Sequence, residues 1–454
     1  MKLKIQNLGV IKSATVDLSK KFTIFCGPNS TGKTYLSYIV YAFYFTSLSR
    51  LSKVVKTMIK SIREQSYIEL TDVLINEILQ SFADDELDNI DEIFGVTQDK
   101  ASLFTNFKIE AIADEEDYKR IVGMSIDVHT NVQNRTYYFH KAKKSRVLYV
   151  ETETLQVEKN VRLVSAIEDI LLSRRLNSIF RELLMSDAAM LTVERNSIYT
   201  FKNELLGYNS RLVEAMQKID TDENLRELLE NNSTHYPMAI RRNLDELSRF
   251  INPKSKSEFM QYGEVLEEKL LHGQVSLNEN GDVIFTMAEE SGKVLPLHIS
   301  SSIVKTVSSL VLYLKHAIEK GDMILIDEPE INLHPTSQIE LSHILSEIVN
   351  NGARIAISTH SDYIVREINN MIMAKALVDK GSSEMVAEFG YTTNQLLNKE
   401  DVAVYLFMPN DKGQVIVKSS EISEYGFSIP SIDDTIRKQN KVTNTFYEVL
   451  KYGE

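Results

Sequence analysis

The chain has 454 residues, with 51 Lys+Arg against 64 Asp+Glu, a formal net charge of −13, 43% apolar residues and no tryptophan. That apolar content builds a sizeable core, and 17 Gly and 8 Pro are too few for a collagen-like or low-complexity chain. A single cysteine, Cys26, excludes an intrachain disulfide and a multi-thiolate zinc site and points to a reduced, cytoplasmic setting, while net acidity argues against a broad coat on nucleic acid.

The N-terminal MKLKIQNLGVIKS lacks the continuous apolar run of a signal peptide, and the longest apolar stretch, Tyr35 to Phe45, falls short of the ~20 residues that cross a bilayer. Neither secretion nor a membrane span is expected. Leu3 and Ile5, then Ala14, Val16 and Leu18, alternate as half-buried strands do, and Phe22 to Cys26 is a buried strand. After Gly32 the pattern turns helical and is expected to run through about Arg63. Val54, Val55, Met58 and Ile62 make its apolar face, and Arg50, Lys53, Lys56, Lys60 and Arg63 a basic stripe. The acidic segment Asp84 to Glu92 continues in a helical context.

Residues from about Phe107 to Val157 return to strand-like alternation. From Val164 to about Leu270 the chain reads mostly as helix, broken by a strand-like Met190 to Val193, by Asn231 and Asn232, and by Pro237. No heptad seam is sustained, so short helical arms are expected instead of one long coiled coil. Gln274 to Leu277 and Asp282 to Met287 read as a hairpin around Asn278 to Gly281. A helix from about Ile303 to Glu319, the buried strand Met323 to Ile326, a helix from about Thr336 and the strand Arg354 to Ser358 follow. The strands Ala403 to Met408 and Gln414 to Lys418 and a terminal helix close the chain. Alternating helices and buried strands predict an α/β fold: one head over 1–454, a mixed sheet with N-terminal antiparallel strands, and helical insertions at about 46–100 and 196–272.

Directly after the strand Phe22 to Cys26 comes Gly27-Pro28-Asn29-Ser30-Thr31-Gly32-Lys33-Thr34, a full match to G-x-x-x-x-G-K-[ST]. A tight loop between strand and helix aims the backbone N–H groups of Asn29, Ser30, Thr31 and Gly32 at one anion. Lys33 adds a mobile charge for the β and γ phosphates, and the Thr34 hydroxyl suits Mg²⁺. Far downstream, Met323 to Ile326 ends in Asp327 and Glu328. A carboxylate at the end of a buried strand, Asp327, suits the Mg²⁺ shell, and Glu328 can polarise an attacking water. Each motif alone has a bland reading, a chance glycine loop or a strand ending at a solvated acidic turn; together they are hard to explain so.

These residues resemble the ABC-type ATPase superfamily in its SMC, Rad50, RecF and OLD-like branch. Ile331-Asn332-Leu333-His334-Pro335 is similar to that branch's D-loop, and Ile357-Ser358-Thr359-His360-Ser361 to its switch-histidine strand end. Ile299-Ser300-Ser301-Ser302 stands where the signature stands, with three serines in place of Ser-Gly-Gly. The resemblance implies ATP and Mg²⁺ as ligands and a head-to-tail homodimer or higher oligomer. Ser301 or Ser302 would then act in trans on the partner's γ phosphate, and Glu328 and His360 in cis as catalytic residues. Thr34 and the signature serines lie too far apart for a transporter subunit, and no nuclease metal set follows His360.

What remains is similar to the free-standing prokaryotic ATPases of antiphage systems (Septu, retron-associated and PARIS-type). Val193-Glu194-Arg195, Leu266 to Gly273 and Ser431 to Tyr447 share that group's character. The implied function is an ATP-hydrolysing switch or assembly platform controlling a separate effector nuclease or toxin. A RecF/Rad50-like ATPase that grips DNA in repair or recombination, and a scaffold that binds ATP without hydrolysis, are the alternatives. The basic stripe, the cluster His140, Lys141, Lys143, Lys144 and Arg146, and the pairs Arg174/Arg175 and Arg241/Arg242 read as solvated charged faces before nucleic-acid contacts. His334 and Cys26 read as structural.

Overall fold

The computed structural model describes residues 1–48, 52–96, 104–132, 135–154, 161–201, 236–250, 257–288 and 292–453. Arg50, Asn231, Asn232 and residues 155–157, which entered the expectations above, lie outside them. The chain divides into two units: one holds Met1–Ser19, Ile39–Ile90 and Ser102–Asp187, the other Lys20–Tyr38, Asp91–Ala101 and Ala188–Glu454.

In the first unit β1 (Lys2–Leu8) and β2 (Ile11–Asp17) form the expected antiparallel pair, Lys2 opposite Asp17 and Leu8 opposite Ile11. β3 (Phe22–Cys26) is buried throughout and belongs to the second unit. The single helix expected from Gly32 to Arg63 is two, α1 (Lys33–Phe43) and α2 (Lys53–Gln65). The break follows from side chains that capture the backbone. The Thr46 hydroxyl donates to Phe43 O (2.8 Å), Ser47 N–H donates to Asp85 Oδ2 (2.9 Å) and Leu48 N–H to Asn177 Oδ1 (2.8 Å). Ser52 then caps α2 by accepting from Val55 N–H. α2 buries Val54, Val55, Met58, Ile59 and Ile62 and leaves Lys53, Lys56 and Lys60 exposed, as its periodicity requires.

The region 46–100 is not wholly helical. Between α2 and α3 (Asp72–Asp88) lies the short strand β4 (Tyr67–Glu69); α4 (Ile90–Phe94) and β5 (Lys108–Ile112) follow, the latter pairing with β1. The stretch read as continuous strands contains a helix, α5 (Glu115–Gly123). Its cause is a capping box: Asp114 accepts from Glu116 and Asp117 N–H while Asp117 accepts from Asp114 N–H. β6 (Ile126–Val132), β7 (Arg135–Lys141) and β8 (Val147–Thr154) complete an antiparallel sheet in the order β4-β8-β7-β6. Lys141 leaves the basic cluster: it is buried, and its ammonium donates to Met124 O (2.6 Å). α6 (Val161–Leu184) brings the buried Glu168 to Tyr137, Arg135 and Arg63.

The second unit is built on a sheet ordered β16-β15-β3-β14-β13-β9, with β9 (Ala188–Leu191), β13 (Met323–Asp327), β14 (Arg354–Thr359), β15 (Val402–Pro409) and β16 (Val415–Ser419). From β15 to β9 the strands run parallel, and β16 is antiparallel to β15. Phe22, Ile24, Ile324, Ile326, Ile355 and Ile357 are nearly or wholly buried, each worth about 1.5–3 kcal/mol on burial.

From Ala188 onward the helices among the described residues are α7 (Arg195–Thr200), α8 (Met238–Phe250), α9 (Met260–Leu266), α10 (Ser302–His316), α11 (Pro335–Asn350), α12 (Asp362–Asp379), α13 (Ser383–Glu388) and α14 (Pro430–Tyr452). The expected hairpin is β10 (Gly273–Leu277) and β11 (Val283–Met287), joined by β12 (Val294–Pro296). Among the described residues no helix is long and apolar enough to cross a membrane.

Because β14 lies between β3 and β13, the C-terminal ends of three parallel strands meet at one edge. That edge is where open parallel sheets hold ligands.

Candidate functional site

The loop after β3 wraps without obstruction because Gly27 has no Cβ: one built there would lie 2.7 Å from Phe407 Cβ and 2.8 Å from Phe407 O. Ser30 and Gly32 sit at positive φ (60° and 89°), and the buried Thr31 donates its hydroxyl to Pro28 O (2.8 Å). Asn29 and Ser30 are exposed. Lys33 opens α1, is largely buried and donates to Gly27 O (3.0 Å) and Pro28 O (2.9 Å). Burial lowers its pKa, and Glu328, Cys26, Asp327 and Glu330 act against the shift. The cysteine is itself buried and its thiol is pushed far up, chiefly by burial, so it stays protonated.

Asp327 ends β13 and is 1% exposed. Its Oδ1 accepts from the Ser358 hydroxyl (2.7 Å), while Oδ2 is buried without a hydrogen-bond partner. Burial raises its pKa; the hydroxyls of Ser358, Thr34 and Ser37 and the charge of Arg195 oppose the rise. Thr34 and Ser37 thus stand near the carboxylate without closing a bond on Oδ2. One buried carboxylate oxygen beside two hydroxyls fits a hard divalent cation that brings further oxygen ligands with it. Among the described residues no group of three or more His, Cys, Asp and Glu could hold a metal unaided.

Glu328 stands at φ 47°, a left-handed conformation uncommon outside glycine and of the kind that clusters at functional sites. Its N–H donates to Ser358 O (2.9 Å), and its side chain, partly exposed, lies with Oε1 3.8 Å from His360 Nε2. Burial and the Lys33 charge lower the His360 pKa, with Glu328 opposing, so the ring is neutral near pH 7. Glu330 holds the backbone in place: its Oε1 accepts from His360 N–H (2.6 Å) and the Thr359 hydroxyl (2.9 Å).

Of the residues singled out in the sequence, Lys33, Thr34, Asp327, Glu328 and His360 converge on this edge. Ser301 and Ser302 do not: they stand exposed at the N-terminus of α10, and among the described residues neither hydroxyl bonds to that group. Ser300 is buried, its hydroxyl donating to Pro296 O. His334 caps α11, accepting from Thr336 N–H. Ser358, Glu330 and Arg195 were not read as site residues; Arg195 entered only as part of a family-like tripeptide. The guanidinium of Arg195, 2% exposed, donates to Thr192 O (2.9 Å), Asp327 O (2.7 Å) and Glu328 O (2.9 Å).

No curated protein matches the chain. Similar solved structures include an Smc head bound to the C-terminal winged-helix domain of ScpA, at 13% identity, 92% of this chain, 97% of that one and a TM-score of 0.34. A second is the Smc head with an extended coiled coil bound to the C-terminal domain of ScpA from Pyrococcus furiosus, at 12% identity, covering 97% and 98% with a TM-score of 0.35. A third is the SMC head domain of Thermotoga maritima, at 9% identity, covering 93% and 98% with a TM-score of 0.33. The model of the AAA ATPase domain family matches residues 1–365, and a match over so much of the chain, with the phosphate loop and the carboxylate strand inside it, makes this protein a member of that family.

Proposed function

We propose that the chain binds ATP with Mg²⁺ on the Gly27–Thr34 loop and hydrolyses it as a switch, two copies closing head to tail and signalling to a separate effector nuclease or toxin in antiphage defence. The observation that carries the hydrolytic reading is the meeting of Lys33, Asp327, Glu328 and His360 at one strand edge, with a buried Asp327 oxygen left unbonded among them.

The loop's N–H groups and the start of α1 receive the phosphates, and Lys33 exchanges its carbonyl partners for their oxygens. Thr34 and Asp327 would hold a divalent cation, which would supply charge neutralisation to the phosphates. Glu328 takes a proton as water attacks the γ phosphorus and the bond to the bridging oxygen breaks, leaving ADP and phosphate. Neutral His360 donates to a γ-phosphate oxygen or orients the water. Ser301 and Ser302, exposed at a helix N-terminus, suit a neighbour's γ phosphate, since a helix start favours anions.

The duplex-gripping alternative draws less support. Arg63 pairs with Asp169, Arg146 with Asp72 and Lys60 with Glu64, and Lys141 is buried, so much of the basic surface is already matched.

Lys33→Ala is expected to lose ATP binding, and Glu328→Gln to keep it while turnover falls by about a hundredfold or more and an ATP-dependent dimer accumulates. Equilibrium dialysis, phosphate release and light scattering check the three parts. Undiminished hydrolysis by Glu328→Gln would remove the assigned base.

A further inference from the structure

We infer that Arg195 is a positioning residue for hydrolysis: its buried guanidinium holds Glu328 in the left-handed conformation from which the carboxylate faces the γ phosphate. The inference rests on the ATPase reading above and deepens it.

β9 runs parallel to β13, with Leu191 opposite Ile326, so the residues that follow β9 arrive beside the end of the carboxylate strand. Arg195 opens α7 there. Its planar fork spends its donors on main-chain oxygens of three residues, two of them the consecutive carbonyls of Asp327 and Glu328. Burial lowers its pKa to about 10, with Asp327, Glu330, Glu328 and Glu194 opposing, so it remains charged at neutral pH.

A buried cation engaged with carbonyls, in a molecule where surface ion pairs are available, is a costly arrangement. It is explained by what the two carbonyls belong to. Glu328 has its N–H tied to Ser358 O and its C=O tied to Arg195 and to Ile331 N–H. Both ends of its peptide environment are therefore fixed, and φ 47° is held against relaxation to the ordinary region. Such a rotation would swing the carboxylate away from His360 without disturbing the phosphate loop. Lysine cannot replace the fork, because one ammonium on a flexible stem does not span carbonyls of successive residues in a fixed plane.

The test is Arg195→Lys and Arg195→Gln, each alone and combined with Glu328→Gln, with ATP turnover, affinity for a fluorescent ATP analogue and thermal unfolding all measured. Expected is a fall in kcat of about 10- to 100-fold with analogue affinity within about threefold of the parent chain. Added to Glu328→Gln, the Arg195 substitution should lower turnover no further, since it acts through that carboxylate. Full turnover in Arg195→Lys, an additive loss in the double variant, or a loss of affinity matching the loss of kcat would each overturn the inference. Failure of both Arg195 variants to fold would assign the residue to the scaffold and overturn it as well. A parent chain without Lys33-dependent turnover would instead sink the ATPase reading, and the positioning role with it.

Discussion

An ionised carboxylate held out of water with one oxygen unbonded costs several kcal/mol, and the folded chain relieves that cost by keeping a proton or by taking up a cation. Asp327 is so placed, and burial raises its pKa. The sign of the linkage follows: the native state binds the proton more tightly than the unfolded state, so folding stability falls as pH climbs from the ordinary 3.8 toward the raised value, and the whole penalty persists above it. Asp327→Asn is therefore expected to raise the melting temperature of nucleotide-free protein by about 2 °C or more at roughly pH 7.5 and to abolish Mg²⁺-dependent turnover. Calorimetry in chelator checks it, and the gain should vanish near the ordinary carboxylate pKa; a lower melting temperature for the variant at the higher pH would refute the account. His360 titrates in the other sense. With its pKa lowered, its contribution is complete above 6.5 and is drawn down as pH falls toward the depressed value.

The elements that form the edge are tightly seated. At Gly27 an added Cβ meets the backbone of Phe407 in β15, which cannot swing aside as a side chain would. Gly27→Ala is expected to destabilise the fold by about 1–3 kcal/mol, read as a lower urea midpoint with unchanged slope. β3, β13, β14 and β15 were legible in the sequence because strands buried on both faces write continuous apolar runs. The Gly27–Thr34 loop and the Asp327–Glu328 pair could be singled out as a candidate site because particular side chains stand there at fixed spacing. Other elements were hidden by local bonds. α1 and α2 share one apolar rhythm, and the break between them is made by Asp85 and Asn177, remote in sequence; α5 depends on a capping box inside a stretch that alternates like a strand. Arg195 was hidden for a different reason: its partners are backbone carbonyls, which leave no trace in residue identity.

For the molecule as a whole, the decisive question is whether one pocket needs two chains. A mixture of Lys33→Ala with a Ser301→Arg/Ser302→Arg chain answers it. If the serines serve a neighbour, each mixed dimer regains one complete pocket, and equal mixing should restore about a quarter of parental turnover from two inactive parents. Phosphate release should be followed at about 0.15 M salt, where screening limits the repulsion between two chains of net charge −13 to about 8 Å. A mixture as inactive as its components would place the serines outside catalysis.

The path of the backbone between α1 and β9 has a consequence for insertions. The chain departs through α1, which begins at the site's strand edge, and comes back at the start of β9, where Ala188 pairs opposite Met323 at the other end of β13. Whatever is threaded between those two fixed points can lengthen at a closure cost that grows only logarithmically. Extra residues in a turn of that stretch are therefore expected to cost little, provided β5 keeps its pairing with β1.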